Sequence, residues 1–371
     1  MNTWRRWPGA SAQWGFGLIE LMVAMAIGLV LMAATLTLYL DMSRSNTELA
    51  RTNAQIENGG MAIELLREDI QHAGFWDGFV PEFDDLTLTS IPADYPTALP
   101  DPCLAFDSWS AADPANRLGL VLQLYTAVPS GCSGVLPDKQ ADSDVLVVRH
   151  ADTCLPGVGN CEVDVAGGLY FQPSQCDGES PRYVLGTAGF TLHQRNCTSV
   201  APRRRYISNI YYLRNYAVTT GDGIPTLMRS SFEFDGTAVV QLAAVPMVEG
   251  VEGLRFEVGV DNRSDSGAVV DFSQAVVWAN TQNKTSPTNR GDGAADAFCT
   301  ASTCSLDDLV NAVSVKTYLL VRPLEPSPGY SSGKTYSLAG QTYGPFADGY
   351  KRHVYSAAIR LVNVSGRRET P

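Results

Sequence analysis

The sequence predicts an α+β protein: a long N-terminal α-helix, membrane-spanning in its first half, packed on a β-rich, mainly antiparallel globular domain with long loops. Three observations carry that expectation. Leu21 to Leu40 is a run of twenty positions without a charge, the length of a bilayer-crossing helix. No proline occurs between Phe16 and Ala73, and apolar residues recur there every seven positions. From Leu118 onward, strand-like runs alternate with turn residues and no βαβ alternation appears.

The N-terminus holds the most specific pattern. Gly15-Phe16-Gly17-Leu18-Ile19-Glu20 stands at the lip of the apolar run. A secretory signal places its apolar stretch before the cut, so the stretch is discarded. Here the candidate cut, between Gly15 and Phe16, precedes it, and the apolar helix would become the new N-terminus. This pattern resembles the type IV prepilin signal, in which a dedicated peptidase cuts after Gly and before Phe. The resemblance implies removal of residues 1–15, methylation of the new amine on Phe16, and an assembly role for Glu20, the fifth mature residue. The family's usual Ser or Thr is Gly17 here, and Arg5 and Arg6 sit well upstream, before Pro8 and Trp14. A carboxylate at the membrane core costs about 2.5–3.5 kcal/mol on insertion scales. Pairing with an incoming amine would offset that cost, and the family's Glu is thought to meet the amine of a neighbouring subunit. Arg5 and Arg6 before the helix favour a cytoplasmic N-terminus.

Beyond Leu40 the helix is expected to continue to Gly74, which would cap it. Ile56, Ile63 and Ile70, with Gly59, Leu66 and Ala73 three residues after each, form a coiled-coil-like stripe. A helix of about 58 residues would be ~87 Å long. Asn58-Gly59-Gly60 is its expected weak point, and Gly28 a second soft spot or close-packing site. Residues 75–117, rich in Pro, Asp and Ser, read as an irregular connection with short strands. Strands are expected over 118–128, 143–151, 182–193, 205–218, 224–234, 237–245, 253–261, 313–323 and 351–364. Residues 281–305 read as a polar surface excursion.

Composition narrows the function. The formal charge is −12, or −14 without Arg5 and Arg6, so nucleic acid is not an expected partner. Arg203-Arg204-Arg205, the one basic cluster, reads as the solvated start of a strand. Eight cysteines, Cys103, Cys132, Cys154, Cys161, Cys176, Cys197, Cys299 and Cys304, suit disulfides in an exported chain. Cys154 with Cys161 and Cys299 with Cys304 are the expected close pairs; the remaining connectivity is open. His150 and His193, each four residues before a cysteine, allow a zinc reading, but no CxxC occurs.

Catalytic patterns fail on context. Gly329-Tyr330-Ser331-Ser332-Gly333 fits G-x-S-x-G, yet prolines precede it and no helix pattern comes after it. The neighbouring Lys334 lacks the phosphate-loop glycine, because Pro328 holds that position. Asp261, Asp265 and Asp271 are weak calcium candidates, their loop pattern broken by Arg263 and Ser266. The four histidines, His72, His150, His193 and His353, show no HExxH spacing. No cofactor and no enzymatic activity are expected.

The blocks IYYLRNYA, IPTLMRSSF, VPMVEGVEGLRFEVGVD, VSVKTYLLVRP and YKRHVYSAAIRLVN succeed one another as in the PilW family of minor pilins, and QIENGGMAIELLREDIQHAGFW is similar to that family too. The resemblance covers 15–76 and roughly 205–364. It implies a leader over 1–15, a transmembrane half-helix over 16–40, an amphipathic half over 41–74 and a periplasmic β-rich domain over 75–371, of which 75–204 is the less recognisable part. It further implies a non-enzymatic subunit in the inner membrane, then in the pilus or at the cell surface. Its partners would be the prepilin peptidase, membrane lipid, other minor pilins and the major pilin, the pilins through the N-terminal helix; it would prime pilus growth and stand at the fibre tip. A type II secretion pseudopilin and a pilus-associated adhesin or ligand-binding module are the alternatives.

Overall fold

The computed structural model describes residues 15 and 17–369. The leader with Arg5 and Arg6, and Phe16 itself, lie outside the described residues. By internal contacts the chain divides into a part up to Asn53 and a part from Ala54 onward.

Helix α1 runs from Leu18 to His72 without interruption, through Gly28 and through Gly59-Gly60. The absence of proline and the straight-chain helix formers of its second half permit this length. Gly74, at φ +74°, ends it as expected. The last carbonyls of α1, which no later helical N–H can reach, are met from far along the chain. Asn363 Nδ2 donates to Gln71, His72 and Ala73 oxygens at 3.2, 3.3 and 3.4 Å, and Arg367 donates to the Gly74 carbonyl.

The second part is antiparallel throughout its named strand pairs. The strands are β1 (Leu122–Tyr125), β2 (Val145–Ala151), β3 (Tyr170–Pro173), β4 (Tyr183–Gly186), β5 (Arg204–Arg214), β6 (Thr226–Phe234), β7 (Val239–Gln241), β8 (Val245–Glu249), β9 (Val251–Val260), β10 (Trp278–Asn280), β11 (Thr285–Pro287), β12 (Ala297–Thr300), β13 (Ala312–Val321), β14 (Tyr336–Leu338), β15 (Gln341–Tyr343) and β16 (His353–Arg360). One sheet runs β1-β2-β5-β3-β4, with β6 joined to β5 and carrying β7 and β8. The other runs β12-β9-β13-β16. Strands β10 with β11 and β14 with β15 are separate hairpins. Asp144, just before β2, ties the sheets together: its N–H donates to Leu254 O at 2.9 Å, and its carboxylate accepts from Phe256 N at 3.0 Å and from Arg255 at 2.5 Å.

Period-two alternation builds the second sheet. Leu254, Phe256 and Val258 of β9 pair with Leu319, Thr317 and Val315 of β13, all buried, while the intervening Arg255, Glu257, Lys316 and Tyr318 are partly exposed. Against these strands and Trp76 pack Ala62, Leu66, Ile70 and Ala73 in one core. Burial of a side chain such as Leu66 contributes roughly 1.5–3 kcal/mol.

The buried stripe of α1 matches the expected one at its end and departs from it at its start. Gly59, Leu66, Ile70 and Ala73 are buried as predicted and Ile63 is partly buried against the core, but Gln55, Ala62 and Asp69 are buried beside them, while Ile56 is 56% exposed. The reason is polar anchoring. Gln55 Nε2 donates to Val321 O at 2.6 Å and Lys351 O at 3.2 Å, Asn58 Nδ2 to Glu249 O at 3.1 Å, and Asp69 meets β2 and β5. Some strand boundaries also differ. Residues 75–117 hold 3-10 turns and α2 (Asp113–Gly119) but no strand among the described residues. Leu118 and Gly119 therefore belong to α2, Pro at its start favouring a helix. The 182–193 run keeps only β4, and 351–364 ends in α4 (Val362–Arg368). A further short helix, α3 (Leu306–Val310), starts on a Ser305–Asp308 capping box.

Gly59 and Gly60 make opposite predictions. A Cβ on Gly59 would lie 2.4 Å from the Tyr355 ring, whereas one on Gly60 would meet nothing within 4 Å. Alanine gains up to about 1 kcal/mol over glycine in a helix, and overpacking costs typically 1–3 kcal/mol. Thermal unfolding should show Gly60→Ala more stable than the parent and Gly59→Ala less stable; equal effects would contradict the packing described.

Candidate functional site

The first turn of α1 is built around Glu20. Leu21 N–H donates to Gly17 O at 3.1 Å, starting the helical ladder. The Glu20 carboxylate reaches back and accepts from Gly17 N–H at 2.9 Å. An acid in the first turn satisfies an orphan amide and sits at the positive end of the helix dipole. Gly15 is exposed, and a Cβ there would meet nothing within 4 Å.

Beyond this turn α1 enters the most apolar stretch of the chain, long and apolar enough to cross a membrane, with a mean hydropathy of 2.4 and no residue of that stretch buried. Its threonine hydroxyls are spent inside the helix. Thr35 Oγ1 donates to Met32 O at 3.0 Å and Thr37 Oγ1 to Ala34 O at 2.9 Å, so these donors are satisfied without lipid. The first charge after Glu20 is Asp41. Between Gly15 and Asp41 the chain thus carries one carboxylate, two helical turns or less from the predicted new terminus.

The other candidates all lie in the second part. The eight cysteines form four disulfides: Cys103–Cys132, Cys154–Cys161, Cys176–Cys197 and Cys299–Cys304. Both expected close pairs are among them, and the zinc reading lapses because these sulfurs are bonded to each other. Asp261 is fully buried and turned to Arg368 Nη1 at 3.3 Å and to Gly293 N at 2.9 Å. Asp271 accepts from the Ser273 amide and hydroxyl and from Gln274, within its own turn, and Asp265 is exposed. Their oxygens are not brought together: among the described residues, only Asp101, Cys103 and Cys132 place three such ligand atoms within 4.8 Å of one another, and both cysteines are in a disulfide. Ser331 lies in a loop with neither strand before it nor helix after it. The arginine run leads into β5 as predicted, partly exposed and also paired. Arg204 meets Asp77 at 2.8 Å, Arg205 meets Glu162 at 2.5 Å and Asp152 at 3.5 Å, and Arg203 pairs with Asp164.

Two buried polar clusters were missed by sequence reasoning. Arg368, at 2% exposure, donates to Asp84 Oδ1 at 3.0 Å, to Asn311 Oδ1 at 2.9 Å and to Asp261. His150 Nε2 lies 2.8 Å from Asp69 Oδ1, and Asn209 Nδ2 donates to both Asp69 oxygens at 3.2 and 3.1 Å. The spacing of Asp69 from Gln55 and Ala62 was the available signal: a carboxylate on a seven-residue register implies a polar partner.

An N-terminal methylation motif, a long apolar helix and a disulfide-bonded antiparallel domain together define a type IV pilin-like protein. Residues 12–36 match the prokaryotic N-terminal methylation motif, and residues 210–363 match the family of the Type IV Pilus-assembly protein W. The chain thus carries a PilW-family region in its second part and the methylation motif at its start. No curated protein sequence matches it. Among solved structures, a type IV-like pilin from Thermus thermophilus is similar over 84% of this chain and 97% of its own, at 12% identity and a TM-score of 0.32, too loose a likeness to carry an argument.

Proposed function

We propose that the chain is a minor pilin, a non-enzymatic subunit that primes type IV pilus assembly and takes a place at the fibre tip. It is cut between Gly15 and Phe16 by the prepilin peptidase and methylated on Phe16. It waits in the inner membrane with the β-rich domain in the periplasm, then joins other minor pilins and the major pilin through its N-terminal helix. The observation that carries this reading is the placement of Glu20. It is the one charge between Gly15 and Asp41, it sits in the first helical turn, and a PilW-type domain comes after it. A carboxylate in a low-dielectric setting gains by pairing with an amine, and apolar helices in lipid have little other drive to choose a partner. Four disulfides and an acidic composition suit an exported domain with protein partners.

The test is Glu20→Ala. Membrane insertion should be unaffected, because the change removes a charge from the lip of the span. Recovery with other pilins in a pull-down should fall by about tenfold or more, the loss of a charge-assisted contact worth roughly 1.5–3 kcal/mol. Undiminished co-purification would remove the pairing role.

A further inference from the structure

We propose that His150 is a proton-binding site that fastens the last turns of α1 to the first sheet, closed by the imidazolium and loosened when the ring is neutral. The geometry carries this. Nδ1 lies 2.8 Å from the Ala151 carbonyl oxygen, which can only accept. Nε2 lies 2.8 Å from Asp69 Oδ1, and Asn209 already donates to both oxygens of that carboxylate. Both ring nitrogens therefore face acceptors, and only the doubly protonated ring satisfies both. A neutral ring sets a lone pair against either Ala151 or Asp69. His150 and Asp69 are 5% and 9% exposed, so water does not freely replace the lost bond.

The surrounding charges agree. From α1, Asp69, Glu68 and His72 face the site, the His72 ring 5.6 Å from that of His150. Just past its own strand Asp152 adds negative charge, while Arg149 on that strand turns to Leu120 O and Gln123. Strand β5 supplies Arg205, already tied to Asp152 and Glu162, together with Tyr211. Strand β6 supplies Arg229 and Glu233. Burial alone would lower the ring's pKa. The Asp69 hydrogen bond and charge, the Ala151 carbonyl and Asp152 outweigh it, and the pKa is raised above its usual 6.5. A cavity of about 310 Å³, lined by these groups, gives protons a route to the ring.

Linkage fixes the sign. With the folded pKa above the unfolded value, the fastening is fully present below about pH 6.5 and is lost as pH rises through the folded pKa. Two variants separate this from ordinary packing. In Asp69→Asn the introduced amide can donate to Nε2 while Nδ1–H donates to Ala151, so the neutral ring is fully bonded. His150→Gln has no proton to lose.

The experiment is amide hydrogen exchange of the full chain in detergent, read on residues 62–73 and corrected for the intrinsic rate, between about pH 5.5 and about pH 9, the range that brackets a raised histidine. Parent protection should be flat at first, then fall by about tenfold per pH unit until the folded pKa is passed. Asp69→Asn should abolish that fall, and the His150 ring, followed by NMR, should then titrate below its parent value. His150→Gln should also be flat. A parent profile without the fall, or an equal fall in either variant, overturns the proposal.

Discussion

Replacing Gly15 with valine is expected to abolish maturation and leave a precursor about 15 residues heavier in the membrane. Processing and folding are separable at this position. Gly15 is exposed, precedes α1, and a Cβ there would touch nothing, so the substitution costs the folded protein nothing. Whatever it changes must come from the residue that faces the peptidase at the bond. The consequence should extend to assembly: without a cut no amine forms on Phe16, and the pairing proposed for Glu20 has no cation. Intact mass reads the outcome directly, and the mature parent should show loss of residues 1–15, one added methyl and four oxidised cysteine pairs. A product of normal mass from the valine variant would refute the cleavage site.

Arg368→Met should be the most damaging single change in the domain, at about 3–5 kcal/mol, because breaking a buried ion pair leaves its partners as uncompensated charges. Asp84 and Asp261 are 4% and 0% exposed and both face this guanidinium. Of these two acids the neighbouring Arg367 reaches Asp84, at 3.7 Å. The melting temperature should fall on the order of 10 °C. Arg360→Met, which breaks an exposed pair with Glu369, should leave it nearly unchanged. The deficit should also depend on pH. Burial already raises the Asp261 pKa, countered in part by Arg368 and the Gly293 amide. With the guanidinium gone that pKa rises further. An acid whose folded pKa is raised gains stability as pH falls toward that value, so the variant should recover on mild acidification. A deficit that does not shrink would show that lost packing, not stranded charge, is the cause.

Local chemistry made the anchor, the candidate cut, the helix cap at Gly74 and most long strands readable. Strands β6, β9 and β13 are long enough for their alternation to show, and β2 and β5 for their strand-forming runs. The short strands β3, β7, β10, β14 and β15, three or four residues each, were illegible or blurred into longer runs, because such segments are held by their partners and not by propensity. The C-terminal helix α4 was hidden for a different reason. Its Asn363, Arg367 and Arg368 cap α1 and fill an ion network, and their value lies in partners almost 300 residues away. Of the candidate site residues, Gly15 and Glu20 are singled out by their order along the chain alone, while the carboxylate of Asp261 is taken up by Arg368 and the Gly293 amide.

Order along the chain was enough to say that an apolar helix comes first, that one acid stands at its start, and that an oxidised antiparallel domain comes after it. These are properties of runs and spacings, which survive without knowing what touches what. The face that α1 buries could not be settled that way. Stripes through Ile56 and Gln55 differ by a single residue, about 100° around a helix, and both repeat every seven. Hydrophobicity favours the isoleucines. The sheet kept Ile70 but turned Ile56 outward, since Gln55 and Asp69 find carbonyl, amide and imidazole partners there.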